Sequence, residues 1–420
     1  MAIKHSTFTS FLLHIHPRKV NEQTLIFTRT FGLGGINALL FVILAVTGLL
    51  LRFAYVPTPD QAYDSILSLQ NNSLFGKLIR NLHHWSAMLL VITSFLHLLR
   101  VFYSNSIYYE RKKTWYYGLI LFAIVLAFNF TGYLLPWDQL SFWAVTIMTN
   151  IVSYIPIIGE GLARLIRGGE MVNGNTLLNF YTFHTALLPL LVVVFMVLHF
   201  WLIRKAKGVT STASTEKKMV DVNPDLISKE ILMGLVLIAV LLITAMFFDA
   251  PLLDKANPLV SPNTSKSPWY FMGIQELLIH LHPFFSTLIV PVILIALFVY
   301  IPNNKIDKDK VGVLFYSSKA KKMILYSIIF SAIITMSLIF AFEYNLHPLV
   351  WNLPLYISTG FIPLFLYLIP LAVFAFLLKW KFKADKMEIY QIIFTFILIS
   401  YLLMSIVGVW FRGESMHLIF

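Results

Sequence analysis

Four histidines stand at matching positions in two long apolar segments of the chain. They are His83 and His97 in the segment 78–103, and His184 and His199 in the segment 177–203. In an α-helix the 14-residue step ends about 40° short of four full turns and rises roughly 21 Å, so each pair occupies two levels of one face. The 15-residue step adds about 100° of rotation and keeps a shared face where helices cross. Ionisable groups inside membrane spans are costly and usually functional, so the pairs predict a binding role.

Two other apolar segments carry glycines at the same 14-residue interval. They are Gly34 and Gly48 in the segment 32–54, and Gly118 and Gly132 in the segment 115–135. A lone glycine in a span usually serves helix packing, and a lone histidine is as easily explained by an interhelical hydrogen bond. Two pairs of histidines and two pairs of glycines at matching intervals favour a flat cofactor bound between the helices. Four imidazoles in two layers suit two bis-histidine haems stacked across a four-helix bundle.

Neighbouring residues refine this prediction. Arg80 and Arg100 each lie three residues from a proposed ligand, where their guanidinium groups could pair with haem propionates. His84 follows His83 directly and points about 100° away on a helix, so it is not included among the ligands.

The elements that position these residues are membrane helices. Of the 420 residues 58% are hydrophobic and only 12% are charged, about half the charged share of a soluble domain. Apolar runs long enough to span a membrane lie near residues 32–54, 78–103, 115–135, 177–203, 230–248, 286–301, 322–342, 360–378 and 388–411. The sequence therefore predicts an all-α polytopic membrane protein with eight or nine transmembrane helices, of which the first four form the di-haem four-helix bundle.

Charge and cysteine content exclude several function classes. The net charge of +12 does not indicate nucleic-acid binding, because most Lys and Arg residues fall in alternate loops. By the positive-inside rule this pattern predicts a cytoplasmic N-terminus. The absence of cysteine excludes disulfides, iron–sulfur ligation and haem attachment through sulfur. The N-terminus has no long apolar region followed by a cleavage site, so no removed secretory signal is expected.

With these residues in place, the chain resembles cytochrome b, the haem-carrying subunit of quinol-oxidising bc and b/f complexes. The resemblance covers about residues 20–300 and includes TWYYG (114–118), TGYLLPWDQLSFWAVTIMTNI (131–151) and PDLISKEI (224–231). The 15-residue histidine step and PWDQ are most similar to the plastid and bacterial variety, with both halves fused in one chain. The predicted domains are an amphipathic surface segment (1–30), the di-haem bundle (31–210), a C-terminal domain (211–380) and an extra helix (381–420).

The resemblance implies a role for each matching residue. The low-potential haem near the positive side would be ligated by His83 and His184, and the high-potential haem near the negative side by His97 and His199. Arg100 and Trp115 would lie beside the second haem's propionates. The quinol-oxidising pocket would be built from Tyr133, Asp138, the stretch 142–151 and the segment Pro268-Trp269-Tyr270, and the quinone-reducing pocket would lie near Arg204, Lys229 and Glu230.

Two positions depart from the family pattern. Gly32 stands where plastid-type members have a cysteine for an additional haem, so no covalently attached third haem is expected. Pro268 stands where the family has the glutamate of a Pro-Glu-Trp-Tyr motif, and proline cannot accept a proton. Asp138 and Glu276 are the candidates to replace that carboxylate. We expect Glu276 to take the role with a pKa raised by partial burial; alternatively, it is a solvated carboxylate at a helix end.

Ala144 gives a prediction about inhibitors. It stands where strobilurin-sensitive members of the family have glycine. An extra methyl group in a close-packed pocket costs about 1–3 kcal/mol. We therefore expect weak strobilurin inhibition of quinol oxidation and stronger inhibition of the Ala144→Gly variant, measured as the inhibitor concentration that halves turnover.

The cofactors and partners follow from the same resemblance. We expect two non-covalent haem b groups, quinol and quinone as substrates, a Rieske iron–sulfur protein, a c-type cytochrome or equivalent acceptor, a homodimeric complex and a bacterial plasma membrane. Two alternatives remain: a di-haem anchor of a quinone-linked dehydrogenase and, with less support, a proton-coupled transporter, which would need broken or charged spans near the midplane. Bis-histidine optical bands would exclude the transporter, and co-purification with a Rieske protein would exclude the anchor.

Overall fold

The computed structural model describes residues 18–206, 208–210, 218–263, 265–344 and 352–419. Thirteen helices of two or more turns form most of this part of the chain. They are α1 Leu33–Arg52, α2 Ala62–Asn72, α3 Gly76–Tyr103, α4 Lys112–Leu134, α5 Gln139–Val152, α6 Gly159–Arg167, α7 Gly174–Lys205, α8 Ile227–Phe247, α9 Met272–His280, α10 Val290–Tyr300, α11 Ser318–Tyr344, α12 Ile362–Phe382 and α13 Lys386–Trp410. Strands β1 Lys19–Asn21 and β2 Met219–Asp221 form an antiparallel pair in which Val20 lies opposite Val220.

Within the described residues, nine helical segments are long and apolar enough to cross a membrane. The predicted all-α polytopic fold is confirmed. The short span predicted near residues 286–301 is also confirmed and runs over Phe285–Asn303. Large apolar side chains remain exposed along the spans, as at Leu190, Trp201 and Leu232. A soluble monomer rarely exposes such continuous apolar surface, and the chain is an integral membrane protein.

The chain divides into two compact units. The first contains the described residues of 1–138, 174–254 and 302–313, and the second contains those of 139–173, 255–301 and 314–420. The boundary predicted near residue 210 does not separate these units, because β1 pairs with β2 and α8 packs on α3 within the first unit. Most of the predicted amphipathic segment 1–30 lies outside the described residues.

The first unit holds the four helices that carry the histidines and glycines. Helix α1 packs on α3, α3 on α4, and α4 on α7. Ile124 of α4 packs with Leu188 and Val192 of α7 in a small apolar cluster. The order of packing therefore alternates a glycine helix with a histidine helix, as a shared cofactor site between them requires.

The second unit is organised around α13. A buried row of hydroxyl groups on α11 faces this helix: the Ser331 and Ser400 hydroxyls are 2.9 Å apart, and Thr335 donates to Ser400 Oγ at 2.8 Å. Small polar residues let membrane helices approach closely and bond across the interface. At its N-terminus α13 has a capping box between Asp385 and Glu388, which satisfies backbone N–H groups that a helix start leaves free.

Candidate functional site

His83 of α3 and His184 of α7 face each other inside the first unit. Their ring centroids lie 6.2 Å apart, with 66° between the ring planes. Metal–nitrogen bonds of about 2 Å place two imidazoles on opposite sides of one metal ion with ring centres about 6 Å apart. This spacing fits the ligation of one metal ion by both side chains, and their assignment as ligands of the first haem stays a prediction.

Two threonines orient these imidazoles. The Thr47 hydroxyl donates to Ile43 O at 2.8 Å, so its oxygen accepts from His83 Nδ1, 2.9 Å away. His184 Nδ1 lies 3.1 Å from Phe128 O and 3.2 Å from Thr131 Oγ1. A carbonyl oxygen only accepts, so this Nδ1 carries the hydrogen. Both rings then hold a proton on Nδ1 and leave Nε2 free for a metal, the usual outer-shell arrangement for ligating histidine.

Each of the four spacing glycines lies against one of the four histidines. A Cβ atom built on the glycine would approach the imidazole Cε1 atom to 3.6 Å for Gly34 and His97, 3.1 Å for Gly48 and His83, 3.4 Å for Gly118 and His199, and 2.6 Å for Gly132 and His184. The missing side chains therefore leave space beside every proposed ligand. The predicted register of glycines and histidines is the register that the helices adopt.

Sequence reasoning missed three features of this site. Thr47 and Thr131 were not selected, although a Thr-Gly pair ends the 14-residue glycine interval in both segments and could have revealed them. His184 lies in a π-helical turn, Phe183–Leu187, within α7. Such turns are frequent at functional sites. Because a π-helical turn contains more residues than an α-helical turn, the direction of the His184 side chain relative to His199 differs from the direction that regular α-helical spacing predicts.

His97 and His199 form the second predicted haem level. His97 and His199 are close enough to interact electrostatically. Trp115 is buried beside Phe102, with ring centroids 6.3 Å apart. Arg100 donates through Nε to Arg29 O at 2.8 Å.

The predicted propionate partner at the first level has other contacts in the structure. The Arg80 guanidinium donates to Ala250 O at 2.7 Å and to Pro251 O at 2.6 Å. The roles of Arg80 and Arg100 toward a propionate stay predictions.

The donor set suits a haem better than a bare metal ion. Among the described residues, no group of three or more His, Asp or Glu side chains is placed to hold a metal ion. Pairs of imidazoles with glycine cradles fit a cofactor that brings its own four equatorial ligands and needs only two from the protein.

The residues predicted for quinol oxidation fall in both units. In the first, Asp138 is buried and accepts from Leu253 N at 3.3 Å, and it interacts electrostatically with Tyr133. In the second, Ala144 and Tyr270 are buried and the Trp269 side chain is 43% exposed. Their common pocket stays a prediction from the resemblance.

The expectation for the pKa of Glu276 is wrong. This carboxylate is fully buried and forms a two-point ion pair with Arg412, with Oε1 2.5 Å from Nη2 and Oε2 3.0 Å from Nε. His280 Nε2 lies 3.1 Å from the same carboxylate. Burial alone would raise the pKa of Glu276, but the His280 and Arg412 hydrogen bonds and the Arg412 charge outweigh it and hold the pKa below its usual range. It is also not a solvated helix-end group.

The residues predicted near the quinone-reducing pocket lie at the ends of α7 and α8. Lys229 donates to Leu25 O at 3.0 Å, while Arg204 and Glu230 both make polar or electrostatic contacts. Gly32 has a φ of +60°, and a Cβ atom there would lie 1.7 Å from Met233 Cε. A larger residue at position 32 would need a different backbone and a displaced Met233.

The glycine contacts predict a graded response to substitution. Gly132→Ala should lose most of one haem, because its methyl group would lie 2.6 Å from His184, whereas Gly34→Ala at 3.6 Å should have a smaller effect. Gly35→Ala is the control, since nothing lies within 4 Å of its Cβ position. The haem-to-protein ratio of purified protein measures this series, and equal haem content in Gly132→Ala and Gly35→Ala would contradict it.

Comparisons with known proteins agree with these features. The family model described as Cytochrome b/b6/petB matches residues 20–207. Cytochrome b6 of Prochlorococcus marinus strain MIT 9515 is 44% identical over 175 residues, which are 42% of this chain and 80% of that protein. The strain MIT 9303 protein is 42% identical over the same coverage. A chain of a hyperthermophilic respiratory Complex III has the same fold, with a TM-score of 0.68 at 22% identity over 87% of this chain and 94% of that one. This chain is a member of the cytochrome b/b6 family.

Proposed function

We propose that this chain is the membrane cytochrome b of a proton-translocating bc-type respiratory complex. It oxidises quinol on the positive side and passes one electron through two b haems to reduce quinone on the negative side. The observation that carries the proposal is the arrangement of four histidines, each against a glycine, at two levels of one bundle. Membership of the cytochrome b/b6 family supports it.

The side chains of the first unit hold the cofactors. His83 and His184 would ligate one haem, and His97 and His199 the other. The haems supply one-electron carriers when bound. Thr47 and Thr131 keep the Nδ1 atoms protonated and thereby direct Nε2 toward the iron.

The quinol site uses residues with aromatic and proton-handling side chains. Trp269 and Tyr270 form a pair of edge-to-face rings, with centroids 5.4 Å apart, that can bind a flat quinol ring. Asp138 and Tyr133 lie near each other in the first unit and can exchange protons with substrate hydroxyls. The resemblance assigns Ala144 to the same quinol site. Arg204, Lys229 and Glu230 would serve the quinone-reducing site.

Electron acceptors must come from partner proteins. The chain has no cysteine and cannot hold an iron–sulfur cluster. A Rieske protein and a c-type cytochrome, or an equivalent acceptor, complete the reaction. We place the protein in a bacterial plasma membrane with its N-terminus in the cytoplasm and as a homodimer in the complex, as the charge pattern and the resemblance imply.

One purification tests the proposal. The chain, extracted from its native membrane in mild detergent, should carry two b-type haems with bis-histidine optical bands, co-purify with a Rieske protein and reduce an added acceptor with quinol. Haem without a Rieske protein or quinol oxidation would favour the di-haem anchor. Absence of haem from the folded protein would overturn the proposal.

A further inference from the structure

Helix α13, to which the resemblance assigns no role, packs against the segment that contains Trp269 and Tyr270. The Tyr401 hydroxyl of α13 donates to Tyr270 O at 2.6 Å. The Tyr401 ring also lies on the backbone of Gly273, where a Cβ atom would approach Cε2 to 2.6 Å. Two turns further along α13, Gly408 receives the side chain of Met272. Helices α9 and α13 are therefore in close contact, with little side-chain volume between them.

The loop that precedes Trp269 is tied at both ends. Gln275 closes it from α9, since its Oε1 accepts from Ser267 N at 2.6 Å and its Nε2 donates to Ser265 O at 2.7 Å. Lys266 reaches α13 and donates to Val409 O at 3.0 Å. Gln275 of α9 thus binds the backbone of Ser265 and Ser267, and Lys266 and Tyr270 connect the segment to α13.

A different face of α13, about 100° from Tyr401, contacts α11. Ser400, the neighbour of Tyr401, bonds to Ser331 and Thr335 of α11 in a fully buried network. The helix is anchored to α11 through Ser400 and presents Tyr401 to the Trp269–Tyr270 segment. Ser400 therefore attaches α13 to α11, whereas the adjacent Tyr401 contacts the Trp269–Tyr270 segment.

We propose that Tyr401 is a positioning residue for quinol oxidation, and that α13 is the support that fixes the Trp269–Tyr270 peptide in its quinol-binding conformation. The inference rests on the proposed function, because it takes this segment as part of the quinol pocket. The bond to Tyr270 O restrains the peptide that follows Tyr270 and so the direction in which both rings project. Without it, the segment would sample other conformations and bind quinol less often in the productive one.

Steady-state kinetics of the purified complex test this role. Tyr401→Phe keeps the ring on Gly273 and removes only the hydroxyl; a net hydrogen bond of this kind is worth about a fivefold change. We expect the KM for quinol to rise about fivefold, with kcat within about twofold and both haem spectra unchanged. Gly273→Ala, whose methyl group must displace the Tyr401 ring, should raise KM in the same direction.

Ser400→Ala is the matched control, one residue away on the same helix. It should lower thermal stability and leave KM unchanged, because it breaks bonds to α11 and to Tyr367 of α12 and none to the Trp269–Tyr270 segment. A KM for Tyr401→Phe equal to that of the unsubstituted complex would overturn the inference while quinol oxidation persists. A KM that rises equally in Ser400→Ala would also overturn it, since helix attachment would then be the cause. If the unsubstituted complex fails to oxidise quinol, the proposed function itself falls.

Discussion

Replacement of His199 by alanine is expected to remove one of two haems per chain, and replacement of His184 should remove the other. A methyl group cannot ligate iron, and in the proposed arrangement each iron would have only two protein ligands. The reduced-minus-oxidised spectrum of the purified chain, with haem extraction, measures the number and type of haems retained. Because one haem is predicted to have a low and the other a high reduction potential, the absorption bands lost in the two variants should belong to haems that are reduced at different potentials.

His84→Ala is the matched control for these variants. His84 is next to His83 in sequence, but its ring packs edge-on against Trp85, with centroids 5.0 Å apart. It should retain both haems. Two haems in His199→Ala would show that the ligand assignment is wrong, and loss of a haem in His84→Ala would show that the wrong face of α3 was chosen.

The register of the four histidines with the four glycines could be predicted because helical geometry fixes it locally. A 14-residue step returns to nearly the same face, and the glycines on partner helices follow the same step. The structure brings Gly34, Gly48, Gly118 and Gly132 each against a histidine. The predicted spans also agree with the structure, since an apolar run of membrane length has few other stable conformations.

Contacts between distant parts of the chain could not be predicted in this way. Glu276 and Arg412 are separated by 136 residues, and no local pattern links a carboxylate on α9 with a guanidinium beyond α13. The π-helical turn at His184 likewise departs from the regular α-helical spacing that was assumed for this segment. The pKa of Glu276 was predicted from burial alone, and its sign was wrong because the partner was unknown.

The pairing of Glu276 changes its expected role. A buried ion pair that loses one partner leaves an uncompensated charge, at a cost of about 3–5 kcal/mol, whereas replacing both partners is often neutral. Arg412 also pairs with Glu343, with Nη1 2.6 Å from Oε2. Arg412→Met should therefore destabilise the complex strongly, and the triple variant with Glu276→Gln and Glu343→Gln should recover much of its thermal stability. At neutral pH the Glu276 carboxylate is ionised, and the ion pair contributes its full stabilisation to the folded state. Because the pKa of Glu276 in the folded state is lowered, this contribution is lost only as the pH falls below about 4.3, the ordinary pKa of glutamate.

The remaining question is which carboxylate accepts the quinol proton in place of the glutamate that Pro268 replaces. Glu276 is engaged by a guanidinium on both oxygens, which opposes protonation and favours a structural role, although its assignment as the base stays open to test. Asp138 accepts a backbone N–H at 3.3 Å through one oxygen, so an isosteric asparagine can keep that contact and lose the proton acceptor.

We expect Asp138→Asn to lower quinol turnover at least about tenfold, within the usual range for loss of a general base, with both haem spectra intact. The triple variant Glu276→Gln, Glu343→Gln and Arg412→Met removes the other carboxylate without leaving either acidic partner of Arg412 charged and unpaired, and it should retain turnover within about threefold. Stopped-flow reduction of the haems by quinol measures both variants before any partner limits the rate. A tenfold loss in the stable triple variant, with near-normal turnover in Asp138→Asn, would assign the proton to Glu276 and show that its ion pair opens during the reaction.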